Sequence, residues 1–207
     1  MAIFGIGGVG SFTAEALARS GIGHLILIDK DAVDVTNINR QIHALTSTIG
    51  KPKVEVLRDR IFEINPAAKV DAIQKFYLPD ESAENFFICQ YDYVVDAIDT
   101  ITAKISLAVE CQRRKIPLVS SMGAGNKLNP ALFKVSDIYK TSVDPVAKVM
   151  RKKLRERGVE SLKVVYSEEV PKKFGAEKII GSVAFVPSVA GLILAAEVVR
   201  DLIGGFK

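Results

Sequence analysis

The sequence predicts an α/β protein with a doubly wound, mostly parallel sheet. Strand-like and helix-like patterns alternate through residues 1–120, and the strands are short, continuous apolar runs. Such runs are typical of parallel sheets that are covered by helices on both faces. A glycine-rich turn, Gly5–Gly10, also joins the first strand to the first helix. Strand–helix–strand order of this kind makes right-handed crossovers that lay neighbouring strands in parallel.

The composition indicates a globular chain with a substantial core. Of 207 residues, 48% are hydrophobic and 25% are charged, which excludes disordered and collagen-like classes. The net charge of +4 permits an acidic partner without requiring one. Two cysteines and no CxxC pair leave neither a four-thiolate zinc site nor a disulfide framework, so we expect no zinc. No secretory signal is visible either, and we expect a cytoplasmic protein.

The nucleotide-binding core is predicted over residues 1–121, within one domain of residues 1–207. Its apolar segments predict strands at Ala2–Phe4, Leu25–Ile28, Val70–Ile73, Tyr93–Val95 and Pro117–Ser120. Helices are predicted between them at Val9–Ser20, Pro52–Ile64, Ser82–Cys89 and Thr100–Arg114. The helix at Pro52–Ile64 has the clearest periodicity, because Val54, Leu57 and Ile61 fall on one stripe.

Residues 122–207 are expected to add the substrate side of the domain. A strand is predicted at Phe133–Ile138, a basic helix at Pro145–Arg157, a polar connection at Glu168–Gly181 and a closing helix at Ser188–Ile203. The stretch Ser182–Val199 is apolar enough to suggest a membrane span. However, Pro187 marks a helix start inside it, and the remaining apolar run is short. We therefore expect a buried core helix and no stable membrane insertion.

The glycine turn predicts a nucleotide site. Gly5, Gly7, Gly8 and Gly10 follow a strand and open a helix, where missing side chains let backbone N–H groups approach a phosphate. Asp29 ends the second strand, the position from which a carboxylate bonds a ribose hydroxyl. The first half of the domain is therefore expected to be Rossmann-like. Tight packing of the strand on the helix is the other explanation of these glycines.

The residues after Asp29 favour ATP over NAD. Arg40 and Lys53 follow the second strand, and an NAD enzyme has little use for two extra cations there. A nucleoside triphosphate carries several negative charges that these cations and one magnesium ion would match. Alternatively, Arg40 could be a surface arginine, Lys53 a first-turn helix residue and Asn37 a helix N-cap.

Two aspartates follow the fourth predicted strand. Asp96 and Asp99 lie at its carboxyl end, where open α/β sheets place ligand chemistry. A carboxylate there can hold magnesium, and Asp99 is the better candidate. The alternative is that Asp99 or Thr100 caps the following helix.

This constellation resembles the ATP-dependent adenylating family that contains the ubiquitin-activating enzymes and the adenylyltransferases of bacterial sulfur carriers. The resemblance rests on five segments in family order: GIGGVG, the aspartate of LILID, NINRQ, GKPKVE and VDAIDT. It implies an acyl adenylate product, a homodimer, and contacts of the nucleotide with Gly8 and Asp29. The full expected nucleotide site comprises Gly5, Gly7, Gly8, Gly10, Asp29, Asn37, Arg40, Gln41, Lys53, Asp99 and Thr100. Among these, Arg40, Lys53 and Asp99 are expected to be catalytic, with Asp99 as the magnesium ligand.

Within this family, three segments are most similar to those of the bacterial tRNA threonylcarbamoyladenosine dehydratases: NRQIHALTSTIGKPK, KIPLVSSMGAGNKLNP and SDIYKTSVDP. This resemblance implies ATP-dependent cyclisation of a modified adenosine in tRNA, with a sulfur-relay or sulfur-carrier protein as a further partner. Sulfur-carrier adenylyltransferases typically hold zinc through paired CxxC motifs, which are missing here. Ubiquitin-activating enzymes use a catalytic cysteine, whereas we expect Cys89 and Cys111 to be packing residues.

The predicted basic helix is the candidate tRNA surface. Its cations include Lys148, Arg151, Lys152 and Arg155, which would hold phosphates of the tRNA backbone. A solvated helix face is the alternative.

Three rival functions remain at this point: adenylation of a ubiquitin-like protein, a catalytically inactive nucleotide-binding module, and an NAD oxidoreductase. The resemblance also implies an arginine from a segment that precedes the first strand, and that arginine is expected to lie outside the given chain.

Overall fold

A computed structural model of the chain describes residues 1–78, 85–87, 89–172 and 180–204. In these ranges the strands are β1 (Ala2–Phe4), β2 (His24–Ile28), β3 (Lys69–Ile73), β4 (Val94–Asp96), β5 (Leu118–Ser121), β6 (Phe133–Asp137) and β7 (Lys163–Ser167). The α-helices are α1 (Gly10–Arg19), α2 (Lys53–Ile64), α3 (Ile101–Arg114), α4 (Pro145–Glu156) and α5 (Phe185–Leu202).

The seven strands form one sheet in the order β3-β2-β1-β4-β5-β7-β6. All neighbours pair in parallel except β6, which runs antiparallel to β7. The chain winds outward from β1 in one direction to β3 and in the other through β4 and β5. The predicted doubly wound sheet is thereby confirmed. Its switch point lies between β1 and β4, where such sheets bind ligands beyond the carboxyl ends of the strands.

Helices cover both faces of the sheet. On one face α1, α2 and α5 bury a cluster that includes Leu17, Leu57 and Leu194. On the other face α3 packs on α4 through residues such as Ala108 and Met150. Each helix thus buries one apolar stripe, which is where most helix stability in a globular protein arises.

The closest helix contact joins α1 to α5 at Gly191. A Cβ on Gly191 would lie 2.3 Å from the carbonyl oxygen of Val9, so only glycine permits this approach. Thr13 Oγ1 donates a hydrogen bond of 3.0 Å to the Gly191 carbonyl across the same contact. As a result, the amino end of α5 lies beside the glycine turn.

The predicted helix at Ser82–Cys89 falls mostly on residues 79–84 and 88, which lie outside the described residues. The described part, 85–87 and 89, is not α-helical. Phe86 and Phe87 pack there into an aromatic cluster with Phe4. Cys89 is exposed, so its prediction as a packing residue is wrong, because the neighbouring rings fill the core instead.

Cys111 is a packing residue, as predicted. It lies on the buried side of α3, and burial raises the pKa of its thiol to about 12. At neutral pH the thiol therefore stays protonated and is a poor nucleophile.

Two elements near the C-terminus differ from the sequence-based expectation. Strand β7 was not predicted, because its apolar core Val164–Tyr166 is short and lies between polar segments. Helix α5 begins at Phe185 rather than at Ser188. Pro187 occupies the first turn of this helix, where the missing N–H has no helical partner to lose. Among the described residues no helix, α5 included, is long and apolar enough to cross a membrane.

Candidate active site at the carboxyl edge of the sheet

The glycine turn is shaped by contacts that exclude side chains. Gly5 has φ +87°, and a Cβ there would lie 2.6 Å from the carbonyl oxygen of Ala97. A Cβ on Gly10 would lie 1.9 Å from the carbonyl oxygen of Gly5. Within the described residues, the N–H groups of Gly7 and Gly8 donate no hydrogen bond. They stand at the amino end of α1, an arrangement that can bind an anion.

Asp29 ties the second strand to this turn. Its Oδ2 accepts a 2.6 Å hydrogen bond from the N–H of Ile6, and its Oδ1 accepts a 2.9 Å bond from the N–H of Asp31. The half-buried carboxylate is therefore fixed at the end of β2, beside the turn. Its remaining lone pairs can accept from hydroxyl groups of a ligand.

Arg40 lies directly against the glycine turn. Its Cγ would be 3.3 Å from a Cβ on Gly8. Its Nη1 donates 2.8 Å hydrogen bonds to the Thr36 carbonyl and to Asn39 Oδ1. These bonds orient a half-buried guanidinium whose other N–H groups can meet an anion.

Asn37 and Gln41 are buried, which separates them from the exposed part of the site. Asn37 Oδ1 accepts a 3.1 Å hydrogen bond from the N–H of Asp34, and Asp34 rather than Asn37 is the N-cap of this turn. Gln41 packs beneath the turn, with Nε2 3.9 Å from where a Cβ on Gly7 would lie. Both side chains therefore support the loop that presents Arg40.

Lys53 is brought to the same edge by the first turn of α2. Its side chain is only 6% exposed, and Nζ pairs with Asp31 Oδ2 at 3.1 Å. The main chain reinforces this pair, because the N–H of Lys53 donates to the Asp31 carbonyl at 3.0 Å. Since Asp31 is half exposed, the Lys53 ammonium lies just beneath the surface, between the carboxyl end of β2 and the amino end of α2.

Asp99 and Thr100 lie across the switch point from Lys53. Asp99 is exposed, and Thr100, the N-cap residue of α3, makes no side-chain capping bond. The hydroxyl of Thr100 donates to Asp99 Oδ1 at 3.2 Å. Capping of α3 therefore does not explain these two side chains, and the Asp99 carboxylate is accessible to a ligand.

Asp96 has a different environment, although it is only three residues away. It is fully buried, and its Oδ2 pairs with Lys104 Nζ at 2.9 Å and accepts a 2.5 Å bond from Ser120 Oγ. Its oxygens are therefore occupied by protein groups. Sequence reasoning missed Lys104, whose only signal was a lysine on the otherwise apolar face of a predicted helix.

A second buried ion pair underlies the loop after β5. Lys127 Nζ bonds Asp144 Oδ2 at 2.7 Å and the Gly123 carbonyl at 2.6 Å, and both side chains are at most 1% exposed. Asp144 Oδ1 also caps α4 by accepting from the N–H of Ala147. This pair was not predicted, because a Lys and an Asp so far apart in a loop region look like surface residues.

His43 is a buried group with no counterpart in the sequence-based site. Neither ring nitrogen has a hydrogen-bond partner among the described residues. Burial, followed by the nearby charges of Lys53 and Arg60, lowers the pKa of His43 to about 4. The ring is therefore neutral at physiological pH.

The basic helix α4 lies apart from this constellation. It packs with α3, on the opposite sheet face from α1 and α2. Lys148 and Lys152 are exposed on one side of the helix and form no ion pair with the described residues. Arg151 instead donates to the carbonyl and hydroxyl of Thr141, and the Arg155 guanidinium lies 5.3 Å from the ring centre of Tyr139. Together with Glu156, the four cations line a shallow surface depression.

The site can bind a polyanion and can contribute one carboxylate to a cation. No group of three or more His, Cys, Asp or Glu in the described ranges could hold a metal ion alone. Magnesium, however, is commonly bound through one or two carboxylates together with substrate phosphates and water. The accessible carboxylate of Asp99 fits that requirement, provided that phosphates supply further oxygens.

Comparisons with known proteins agree with this geometry. A family model described as the ThiF family matches residues 1–205. The tRNA threonylcarbamoyladenosine dehydratase of Bacillus subtilis is 51% identical, over 98% of this chain and 86% of that protein. The crystal structure of the Escherichia coli tRNA N6-threonylcarbamoyladenosine dehydratase in complex with ATP superposes with a TM-score of 0.91 at 38% identity, covering 98% of this chain and 84% of that one. The molybdopterin-synthase adenylyltransferase of Escherichia coli is 36% identical over 57% of this chain and 47% of that protein.

Proposed function

The chain belongs to the ThiF family, and on that premise we propose that it dehydrates threonylcarbamoyladenosine in tRNA by ATP-dependent adenylation. The observation that carries the proposal is that the glycine turn, two cations and one accessible carboxylate all lie at the carboxyl edge of the sheet. The similarity to dehydratases over nearly the whole chain supports the same reaction. Residues 1–121 bind the nucleotide, residues 122–207 form the substrate side, and both belong to one domain.

The nucleotide lies across the ends of β1 and β2 in this proposal. Asp29 bonds the ribose, and the amides of Gly7 and Gly8 meet the phosphates. Gly5 and Gly10 shape the turn, while Asn37 and Gln41 hold the loop that carries Arg40. Because Arg40 and Lys53 add two cations at this edge of the sheet, their charges favour a triphosphate over the single pyrophosphate of NAD.

Asp99 is the proposed magnesium ligand, with Thr100 beside it. Magnesium bound to ATP would supply electrostatic stabilisation of the charge that moves to the pyrophosphate. Asp99 would hold the magnesium ion in place, and Arg40 and Lys53 would share the stabilisation of the leaving pyrophosphate. Asp31, which pairs with Lys53 in the structure, must then release at least part of the ammonium to the phosphates.

The reaction needs ATP because the threonyl carboxylate is ionised at neutral pH and cannot expel oxide. Its oxygen attacks the α-phosphorus of ATP, and pyrophosphate leaves. The carbamoyl group of the same nucleoside then attacks the activated carbonyl carbon and gives up its N–H proton to the solvent, and AMP leaves with the carboxylate oxygen. The net change in the nucleoside is the loss of one water, and ring closure is favoured because both groups are already neighbours.

The tRNA partner is proposed to contact α4 through Lys148, Arg151, Lys152 and Arg155. Lys148 and Lys152 form no ion pair among the described residues, and they share one helix face, as residues four apart do. Arg151 and Arg155 extend the positive surface while also bracing the segment before the helix. A homodimer and a sulfur-relay or sulfur-carrier partner are part of the proposal by family resemblance.

The test is substrate-dependent release of AMP and pyrophosphate from ATP. The protein is incubated with ATP, magnesium and either tRNA that carries threonylcarbamoyladenosine or a candidate sulfur-carrier protein with a free C-terminus. We expect release with the modified tRNA alone. Release with the carrier and not with the tRNA would favour an adenylyltransferase of ubiquitin-like proteins. Release with neither would favour an inactive nucleotide-binding module.

A further inference from the structure

We propose that the buried ion pair of Asp96 and Lys104 is a positioning device for the metal carboxylate of Asp99. The inference rests on the proposed function, because it assumes that Asp99 meets magnesium bound to ATP. It starts from one observation. Both members of the pair bond the main chain of Ile98, the residue directly before Asp99.

The geometry clamps a single residue from two sides. Asp96 Oδ1 accepts a 3.1 Å hydrogen bond from the N–H of Ile98, and Lys104 Nζ donates a 3.0 Å bond to its carbonyl. The two charges pair with each other at 2.9 Å, with both side chains 1% exposed. The main-chain N–H and carbonyl of Ile98 are therefore both hydrogen-bonded to buried side chains.

The position of Asp99 depends on this clamp. Its own side chain contacts only the hydroxyl of Thr100 among the described residues. One residue before Ile98, the N–H of Ala97 donates to the Phe4 carbonyl at 2.8 Å and anchors the loop to β1. The clamp extends this anchoring to the residue that precedes Asp99, so the exposed carboxylate projects from a rigid main chain.

Folding stability alone does not explain well why a buried ion pair occupies this place. Well-packed apolar residues of similar volume are often as stable as a buried ion pair, or more so. Groups that orient a metal ligand are a different case, since their loss weakens metal affinity even when the fold survives. The inference therefore predicts an effect on magnesium that is separate from any effect on folding.

The pair of Lys127 and Asp144 provides a matched control. It has the same chemistry and burial, and its lysine also bonds a loop carbonyl, that of Gly123. However, it supports the loop after β5 and makes no contact with Asp99. Replacing Asp by Asn and Lys by Met in either pair removes both charges and nearly preserves volume.

The experiment measures ATP binding by calorimetry over a series of magnesium concentrations and in EDTA. For Asp96→Asn combined with Lys104→Met, we expect the magnesium concentration for half-maximal enhancement of ATP binding to rise on the order of tenfold or more. ATP binding in EDTA should match that of the parent. For Asp144→Asn combined with Lys127→Met, the magnesium requirement should stay at the parental value.

A parental magnesium requirement in the Asp96 and Lys104 variant would overturn the inference, and so would an equal rise in both variants. If that variant does not fold, Ser120→Ala replaces it, since this change keeps both charges and removes the 2.5 Å bond to Asp96. A smaller rise is then expected, and no rise would overturn the inference. If ATP binding by the parent ignores magnesium, the proposed role of Asp99 fails, and the inference fails with it.

Discussion

Asp96 and Asp99 lie only three residues apart, yet their side chains have different environments and different expected roles. Both follow β4 in one short motif, and the sequence predicts only that Asp99 is the better magnesium candidate. The structure gives the physical reason, because Asp96 is buried against Lys104 whereas Asp99 is exposed and caps nothing. A burial difference of this kind depends on a lysine from the following helix, which no local pattern reveals.

The two aspartates are expected to respond differently to the same substitution. Asp99→Asn should leave the free energy of unfolding nearly unchanged, retain much of the ATP binding and lose AMP formation, because the metal matters most as charge moves. Asp96→Asn should lower the free energy of unfolding by about 3–5 kcal/mol, because Lys104 remains buried without its counter-charge. Chemical denaturation and AMP release measure the two effects. Near-parental turnover in Asp99→Asn would contradict its role.

His43 predicts an acid sensitivity that can be removed. Its pKa is about 4 in the folded protein and near 6.5 when unfolded, so the unfolded chain binds the extra proton between those values. The free energy of unfolding should therefore fall as pH decreases from 6.5 towards 4, by at most about 3 kcal/mol. Glu15, whose pKa is lowered by Arg60 and Arg19 despite its burial, loses its contribution only below about 4.5.

The variant His43→Leu should remove this slope between pH 6.5 and 5. Because neither ring nitrogen has a hydrogen-bond partner within the described ranges, the apolar side chain should leave the protein at least as stable as the parent at neutral pH. Denaturation curves at both pH values measure the effect. An unchanged slope in His43→Leu would assign the acid sensitivity to another group.

At the scale of elements, the sequence of α4 predicts a basic helix. It does not predict which of the basic side chains are bonded to neighbouring segments. Its amphipathic pattern predicts the bounds well, since Asp144 caps it and Pro145 follows. The pattern cannot show that Arg151 is bonded to Thr141 while Lys148 and Lys152 form no ion pair in the part of the chain that the structure describes. These two lysines are therefore the cleanest test of the nucleic-acid surface.

Lys148→Gln combined with Lys152→Gln should weaken tRNA binding and leave ATP binding unchanged. Each lost phosphate contact should lower the slope of log affinity against log salt by about 0.7 to 0.9. The charge control is Arg58→Gln combined with Lys69→Gln, which removes the same formal charge away from α4, from two cations that pair with Asp59 and Asp71. Equal effects of both variants would indicate general electrostatics, and no effect of either would place the tRNA elsewhere.

The elements that sequence reasoning missed share a cause. Strand β7 is stabilised by pairing with β5 and β6, which are distant in sequence, rather than by its own short apolar run. The early start of α5 is set by its close packing on α1 at Gly191. By contrast, β1, β2 and α2 carry strong local patterns, and their predicted bounds agree within one residue. Tertiary contacts decide where local patterns are weak.

For the whole molecule, the family resemblance is confirmed by the ThiF match, and the resemblance to the dehydratases by similarity over nearly the whole chain. Arg40 and Lys53 at one edge predict that ATP with magnesium stabilises the fold and that NAD does not. Thermal unfolding with each nucleotide at equal concentration measures this difference. A higher melting temperature with NAD than with ATP would contradict the adenylation account.

The most direct measurement is the mass of the modified nucleoside after reaction. The protein is incubated with ATP, magnesium and tRNA that carries threonylcarbamoyladenosine, and the digested nucleosides are analysed by mass spectrometry, with Asp99→Asn as the control. The account predicts that the parent converts threonylcarbamoyladenosine to a product lighter by one water, with one AMP formed per product and almost none from Asp99→Asn. An unchanged nucleoside in the presence of bound ATP, or dehydration without AMP, would contradict it.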